Sequence, residues 1–337
     1  ERGGGRPVGW AERISEGSGP SADHAPDRGN GMRLAGKTTV ITGASSGIGR
    51  CLAVAVSRRR GAPVLLARRG SLLAEVARDL ATRFPAAPRA LVAPCDVCDR
   101  ASVREALDRA RARRGPIDVL INNAAISLYG LAERTEPADL QSVLQVNLLG
   151  PLHGMLEVIP EMRDRGRGVI VNVISAAALR GVPYLAAYGA AKAALAAFGQ
   201  SLRAELADTG VRVLNVYPGY TRTPLFGRER LVGGARRPDG RYAAPEDVAR
   251  AIVRAIEARR TELVLSREGK ALGAAARLAP RLLDRVLARV ARRLRIQDAD
   301  RRPVHGVARP RANTEAPPPP GGSPARGRLV EQTTRVG

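Results

Sequence analysis

Tyr188 and Lys192 stand four residues apart in an alanine-rich stretch that is otherwise typical of a buried helix. Side chains at i and i+4 of a helix lie on the same face, so these two are predicted to be neighbours. A free phenol has a pKa of about 10, and a nearby ammonium favours its ionised form. The pair is therefore a candidate acid–base couple. The plainer alternative is a packed tyrosine beside a solvated lysine, although the whole chain has only three lysines.

A glycine-rich turn, Thr-Gly-Ala-Ser-Ser-Gly-Ile-Gly, follows the first apolar run and precedes a helix-like segment. Glycine permits a tight turn and close backbone approach, and a helix N-terminus offers N–H donors and a positive dipole end to phosphates. The turn is therefore a candidate pyrophosphate site, although its G-x-x-x-G-x-G spacing differs from the common G-x-G-x-x-G. The residues expected to contact the phosphates or pack beneath them are Gly43, Ser45, Ser46, Gly47, Ile48 and Gly49.

Arg68 and Arg69 end the second apolar run. An acidic residue at this place would bind the ribose 2′-hydroxyl of NAD, whereas a guanidinium can pair with the 2′-phosphate of NADP. No Asp or Glu competes with the two arginines there. The sequence therefore favours NADP(H), with NAD(H) as the alternative.

The elements that position these residues are seven apolar runs that alternate with helix-like segments. Continuous apolar runs indicate strands buried on both faces, and strand–helix alternation indicates βαβ units. We predict an α/β fold with a Rossmann-like, doubly wound parallel sheet in three αβα layers, formed by a single domain over residues 32–266. The predicted strands have the sequences TTVITG, APVLLAR, RALVAPCDV, IDVLINNAA, GVIVNVIS, VRVLNVYPG and TELVLS.

Two flanking segments, 1–31 and 297–337, are rich in Gly, Pro or Arg without periodicity and are predicted to be disordered. Met32 is expected to be the natural start of the chain. Between the catalytic domain and the C-terminal tail, residues 267–296 are predicted to form a basic amphipathic helix. Its apolar stripe and the arginine stripe beside it both repeat every four residues, at Leu278, Leu282, Val286, Val290 and Leu294, and at Arg277, Arg281, Arg285 and Arg289.

The amphipathic pattern at 271–296 has two interpretations. The favoured one is that the apolar stripe packs on the domain or on a partner subunit. The alternative is peripheral docking onto an anionic membrane.

The net charge of +23 raises the question of nucleic-acid binding. No recognition module is found, aromatic residues make up only 3% of the chain, and the arginine excess accompanies many alanines and glycines, as GC-rich coding produces. We therefore expect no nucleic-acid partner. The odd cysteine count argues against a disulfide framework, and the Cys95–Cys98 pair lacks two further zinc ligands, so no metal is expected. A cytoplasmic location is the default expectation.

Several short motifs occur together in one order. They are TGASSGIG at 42–49, NNAA at 122–125, Asn147, Ser175, Tyr-x-x-x-Lys at 188–192, and Pro218-Gly219. In order and spacing the chain resembles the short-chain dehydrogenases/reductases over about residues 34–266. Any one of these motifs is weak, but their combination is specific.

The resemblance implies a role for each matching residue. Tyr188 would be the general acid or base, Lys192 would hold the nicotinamide ribose, and Ser175 would stabilise the substrate oxygen. Asn147 would hold a water on a proton relay through Lys192. The other cofactor contacts implied by the family are at Asp96, Val97, Asn123, Ala124, Pro218, Gly219 and Thr223.

The function predicted from these residues is NADPH-dependent interconversion of a carbonyl compound, a ketone or an aldehyde, and the matching alcohol. Two alternatives stay open at this point. One is a 3-ketoacyl-thioester reductase of lipid or polyketide metabolism, and the less favoured one is a cofactor-sensing scaffold without catalysis. Because members of the family usually form dimers or tetramers, a homo-oligomer is expected.

Overall fold

The computed structural model describes residues 32–227, 230–232 and 242–299. The predicted N-terminal segment 1–31 lies outside these residues, as do 228–229, 233–241 and positions 300–337 of the predicted 297–337 tail. Positions 297–299, which were predicted to be disordered, instead belong to the last helix described. Seven of the strands in the described residues coincide with the seven predicted runs. The strands are β1 (Thr38–Thr42), β2 (Ala62–Ala67), β3 (Leu91–Pro94), β4 (Val119–Asn122), β5 (Leu128–Gly130), β6 (Gly168–Val173), β7 (Val211–Tyr217), β8 (Arg230–Val232) and β9 (Glu262–Val264).

The main sheet has the strand order β3-β2-β1-β4-β6-β7-β9, and every pairing in it is parallel. The order reverses between β1 and β4, which is where doubly wound sheets bind ligands at the carboxyl ends of their strands. The Rossmann-like αβα prediction is confirmed. A second, two-stranded sheet of β5 and β8 was not predicted.

Helices cover both faces of the main sheet. Strand residues alternate between two apolar clusters: Ile41 and Leu65 belong to one, and Val40 and Val64 belong to the other. This alternation explains why the strands are apolar throughout. The helices are α1 (Gly47–Arg58), α2 (Gly70–Arg83), α3 (Arg100–Arg114), α4 (Pro137–Leu144), α5 (Gly150–Asp164), α6 (Ala186–Glu205), α7 (Pro224–Gly227), α8 (Pro245–Glu257), α9 (Arg267–Leu278) and α10 (Pro280–Ala299).

The segment predicted as one amphipathic helix forms two helices, α9 and α10. Pro280 is the first residue of α10, and Ala279 between the helices has non-helical dihedral angles of φ −142° and ψ 58°. Proline has no N–H to donate to the preceding turn and disfavours the helical conformation of the residue before it, so one helix cannot run through this point. None of the described helices is long and apolar enough to span a bilayer.

Three buried asparagines form a hydrogen-bonded row across the centre of the sheet, one each from β4, β6 and β7. Asn122 Nδ2 donates to Asn172 Oδ1 at 3.0 Å, and Asn172 Nδ2 donates to Asn215 Oδ1 at 3.2 Å. Asn215 Nδ2 then donates to the Ala196 carbonyl of α6 at 3.0 Å. The row fixes the register of three strands and the height of α6 above them, because buried amides need partners.

Gly199 of α6 lies directly against this row. A Cβ atom at Gly199 would lie 2.4 Å from Asn215 Oδ1 and 2.9 Å from Asn172 Nδ2. No side chain larger than hydrogen fits there without displacing a hydrogen-bonded amide.

We expect Gly199→Ala to lower the free energy of unfolding by about 1–3 kcal/mol, because overpacking here also breaks hydrogen bonds. Urea unfolding measures the effect. The matched control is Gly273→Ala in α9, where the added Cβ would meet Leu179 at an ordinary 3.5 Å. Alanine should leave stability there unchanged or slightly raised. Equal unfolding midpoints for the two variants would contradict the packing argument.

Candidate active site

A cleft of about 1140 Å³ opens at the carboxyl ends of the parallel strands. It reaches from the glycine-rich turn to the N-terminal part of α6. All the site residues predicted from the sequence line this cleft except Gly49 and Asn147. The topology thus gathers side chains from well-separated parts of the chain into one continuous site.

The glycines of the turn are required by close backbone contacts. A Cβ at Gly43 would lie 2.9 Å from the Ala124 Cα, and Gly43 has a φ of +67°. A Cβ at Gly49 would lie 2.3 Å from the Gly43 carbonyl oxygen, so Gly49 supports the turn from below rather than lining the cleft. The helix α1 begins at Gly47, and the side chain of its N-cap Ser46 makes no capping hydrogen bond. The helix N-terminus is thus open to an anion.

Thr42 joins the turn to the end of β4. Its buried hydroxyl oxygen accepts hydrogen bonds from the backbone N–H groups of Asn123, at 2.9 Å, and Ala124, at 3.0 Å. The Asn123 side chain donates in return to the Thr42 carbonyl at 2.9 Å. These bonds hold β1 and β4 together where the strand order reverses. The sequence analysis did not assign this function to Thr42, although it is the first residue of the glycine motif.

Lys192 is the central charged group of the site. It is only 1% exposed, and its Nζ donates to the carbonyl of Val173, the last residue of β6, at 3.0 Å. The same Nζ lies 6.0 Å from the centre of the Tyr188 ring, so the two side chains share one face of α6 as predicted. Burial lowers the pKa of Lys192 to about 7, because a buried ammonium loses its hydration.

Ser175 follows β6 and caps the short 3₁₀ turn Ala176–Ala178. Its Oγ accepts a hydrogen bond from the Ala177 N–H at 3.2 Å. A hydroxyl that accepts in this way still has its own proton to donate. Ser175, Tyr188 and Lys192 all line the same part of the cleft.

Asn147 is fully buried in a π-helical turn, Gln145–Leu149, which joins α4 to α5. Its Oδ1 accepts from the Ile126 N–H at 3.1 Å, and its Nδ2 donates to the Ile126 carbonyl at 2.8 Å. π-turns are rare and are found frequently at functional sites. The direct partner of Asn147 is therefore the chain that leaves β4, and the side chain does not line the cleft.

Arg68 and Arg69 are exposed at the end of β2 on the rim of the cleft. Arg69 Nη2 lies 3.5 Å from Ser45 Oγ of the glycine-rich turn. Asp96 follows β3 and accepts a hydrogen bond from the Cys98 N–H at 3.0 Å. Asp96 and the adjacent Val97 also line this end of the cleft.

Cys95 and Cys98 flank Asp96 as free thiols. Burial raises the pKa of Cys95 to about 11 and raises that of Cys98 as well. Both thiols therefore stay protonated near neutral pH and are poor nucleophiles. Among the described residues, no group of three or more His, Cys, Asp or Glu side chains could hold a metal ion.

The cleft wall also includes residues that the sequence analysis assigned no function in the site. Glu268 and Leu272 of α9 and Leu287 of α10 contribute to it, although the catalytic domain was expected to end at 266. No motif marks these residues. Tyr129 and Tyr184 do not line the cleft; their rings stack on each other with the centroids 5.6 Å apart.

The profile of the short chain dehydrogenase family matches residues 37–231, more than half of the chain. This chain belongs to that family. One relative is the ketoacyl reductase HetN of Nostoc sp., which is 34% identical to this chain over 233 residues. The match covers 69% of this chain and 79% of HetN. The family resemblance in the motifs is confirmed, and the chain is a short-chain dehydrogenase/reductase enzyme.

Solved structures of the family superpose on the fold. A short chain dehydrogenase from Burkholderia cenocepacia, in complex with NADP, has a TM-score of 0.65 and 26% identity, covering 76% of this chain and 99% of its own. A 3-ketoacyl-(acyl-carrier-protein) reductase from Brucella melitensis, complexed with NADH, has a TM-score of 0.62 and 28% identity. The match covers 68% of this chain and 96% of the reductase. The open α1 terminus and the glycine cradle of this chain fit a nicotinamide dinucleotide.

We expect the buried Lys192 to make stability depend on pH in the cofactor-free protein. The unfolded chain holds the lysine proton up to a pKa of about 10.4, whereas the folded protein releases it near pH 7. Stability should therefore rise between about pH 7 and pH 10, by at most about 1.4 kcal/mol per pH unit from this one group.

The measurement is the unfolding free energy of wild type minus that of Lys192→Met at each pH, which cancels the contribution of other titrating groups. Lys270→Met, at an exposed lysine of α9, is the control and should leave the pH dependence of stability unchanged. Parallel pH profiles for wild type and Lys192→Met would contradict the assignment.

Proposed function

We propose that this enzyme reduces a ketone or aldehyde with NADPH, and oxidises the matching alcohol in reverse, with Tyr188 as the general acid or base. One observation carries the proposal. The fully buried ammonium of Lys192 shares a helix face with Tyr188 inside a cleft that also holds Ser175. A phenol beside a buried cation is suited to transfer a proton near neutral pH.

The residues of the chain divide the work around the substrate oxygen. The bound nicotinamide cofactor supplies or accepts the hydride. Tyr188 Oη gives its proton to the carbonyl oxygen as negative charge develops there, and takes the proton back in alcohol oxidation. The Ser175 hydroxyl, whose oxygen already accepts from Ala177, donates to the same substrate oxygen.

Lys192 has two tasks in the proposal. Its charge favours the ionised form of Tyr188 and thus assists loss of the phenol proton. An ammonium has three N–H donors, of which the Val173 carbonyl takes one, so the others can hold the nicotinamide ribose hydroxyls. The bond to Val173 also keeps the charge at a constant place relative to Ser175, two residues further along.

Asn147 is proposed to hold an internal water on the relay that returns a proton through Lys192. The amide still has one N–H and one oxygen lone pair beyond its two bonds to Ile126. Both bonds keep the amide fixed, which favours a constant water position.

The preference for NADPH is proposed from Arg68 and Arg69. Both guanidinium groups are exposed on the rim of the cleft where β2 ends, and Arg69 approaches the turn that would hold the pyrophosphate. Asp96 and Val97 would meet the adenine, Asn123 and Ala124 the adenosine side, and Pro218, Gly219 and Thr223 the nicotinamide end. A 2′-phosphate would gain charge-assisted bonds that a hydroxyl cannot.

A second candidate substrate class is a 3-ketoacyl thioester. The relatives named as ketoacyl reductases support it, and so does the apolar part of the cleft wall. Leu185, Leu225, Leu272 and Leu287 give the cleft a lining that suits an acyl chain. Assembly into dimers or tetramers, and a cytoplasmic location, stay predictions.

We expect Tyr188→Phe to lower kcat by about 10²–10⁴-fold while NADPH still binds, because the substitution removes only the transferable proton. A screen of ketones and aldehydes, followed by NADPH absorbance, measures the rate, and cofactor fluorescence measures binding. Tyr184→Phe, which removes a hydroxyl outside the cleft, should keep its activity. Full activity of Tyr188→Phe would refute the mechanism.

We expect Arg69→Ser combined with Arg68→Ser to weaken NADPH binding by about 10–100-fold while NADH binding changes little, since a charge-assisted bond contributes about 1.5–3 kcal/mol. Titration calorimetry with each cofactor measures both constants. Arg78→Ser, at an exposed arginine of α2, is the control. Tighter binding of NADH than of NADPH to wild type would overturn the cofactor preference.

A further inference from the structure

A row of apolar side chains on α9 and α10 faces solvent. The exposed fractions are 85% for Leu278, 60% for Leu282, 44% for Val286 and 39% for Val290. Leu282, Val286 and Val290 repeat every four positions within α10 and form one continuous stripe, and Leu278 precedes them at the end of α9. The favoured sequence interpretation placed this apolar stripe against the domain or a partner subunit, and the described part of the chain leaves it uncovered.

A different face of α10 attaches the helix to the enzyme. Leu283, Leu287 and Ala291 are half-buried, and Leu287 enters the cleft wall. Asp284 forms an ion pair with Arg180. The position of α10 is therefore set by these contacts, and the exposed stripe is not needed to hold the helix on its own domain.

Exposed arginines run beside the apolar stripe. Arg281, Arg285 and Arg289 of α10 repeat with the same spacing as the stripe, and Arg277 precedes them in α9. A row of guanidinium groups next to an apolar row is complementary to a surface that is anionic outside and apolar beneath. Among macromolecular surfaces, a bilayer with acidic headgroups has this chemistry.

We propose that the exposed stripe of α9 and α10, with its arginine row, docks the enzyme on an anionic lipid bilayer. The charge of the protein favours an anionic bilayer over a second copy of the chain as the surface that covers the stripe. The protein carries a net charge of +23, so a second copy would bring more positive charge to the arginine row, whereas acidic lipids neutralise it. The proposed contact is peripheral, because α9 and α10 would lie along the bilayer surface with only their apolar stripe inserted.

The docked helix also joins the bilayer to the active site. Leu287 of the same helix and Leu272 of α9 both line the cleft. If the proposed carbonyl reduction is correct, on which this step rests, the favoured substrates are lipophilic carbonyl compounds that partition into the bilayer. The docking itself does not depend on catalysis.

Co-sedimentation of the full chain with vesicles tests the docking. The probes are vesicles of equal parts phosphatidylserine and phosphatidylcholine, and vesicles of phosphatidylcholine alone. Wild type should pellet with the first at low salt and much less with the second. Replacing Arg281, Arg285 and Arg289 by Ser should weaken binding to the anionic vesicles by about a hundredfold, since each basic residue near such a surface contributes severalfold.

Two further variants complete the design. Replacing Leu282, Val286 and Val290 by Ser should also weaken binding, because it removes the inserted apolar row. Replacing Arg78, Arg113 and Arg163 by Ser removes the same charge from exposed positions of α2, α3 and α5 and should leave binding unchanged within about twofold. Tyr188→Phe should bind vesicles like wild type, which separates docking from the proposed chemistry.

Each other outcome would overturn the proposal. Equal loss of binding in both arginine variants would show attraction by total charge alone. Absence of wild-type binding, with an oligomer in sedimentation analysis that the Leu282, Val286 and Val290 substitutions dissociate, would assign the stripe to an interface between copies. In every variant, circular dichroism and thermal unfolding like those of wild type are the control for an intact fold.

Discussion

The buried ammonium of Lys192 is the interaction on which the rest of the site depends. A cation with almost no exposure is costly unless its donors are occupied, and the Val173 carbonyl occupies one of them. That bond ties α6 to the end of β6, and the chain reaches Ser175 only two residues later. Helix geometry then places Tyr188 one turn before the lysine. The hydrogen bond from Lys192 to Val173 thus links the end of β6 to the face of α6 that carries Tyr188.

The glycine-rich end of the cleft depends on close backbone contacts and not on charge. Gly43 lies against Ala124 across the point where the strand order reverses, and the Thr42 hydroxyl ties the same two segments together. The turn, the start of α1 and the end of β4 therefore behave as one rigid unit. Such a cradle needs little rearrangement on binding, which reduces the conformational entropy that the protein itself loses when a dinucleotide binds.

Much of this could be predicted from the sequence because the signals were local. Buried parallel strands are apolar throughout, so seven runs sufficed for the main sheet, and the motif residues marked most of the cleft. The β5–β8 sheet was missed because its three-residue strands lie about a hundred positions apart and have no pattern. Pro280 could have indicated the break between α9 and α10, but the four-residue periodicity continued through it. The contributions of Leu272 and Leu287 to the cleft depend on tertiary packing alone.

The row of Asn122, Asn172 and Asn215 has a consequence for how this sequence can diverge. Each amide uses a neighbour on an adjacent strand as its partner, and Gly199 leaves just enough room above them. Replacement of Asn172, the middle residue, leaves Asn122 Nδ2 and Asn215 Oδ1 without hydrogen-bond partners. Single replacements there are therefore selected against more strongly than paired ones. Substitutions at these four sites are thus expected to covary among homologues, even though none of the four residues lines the cleft.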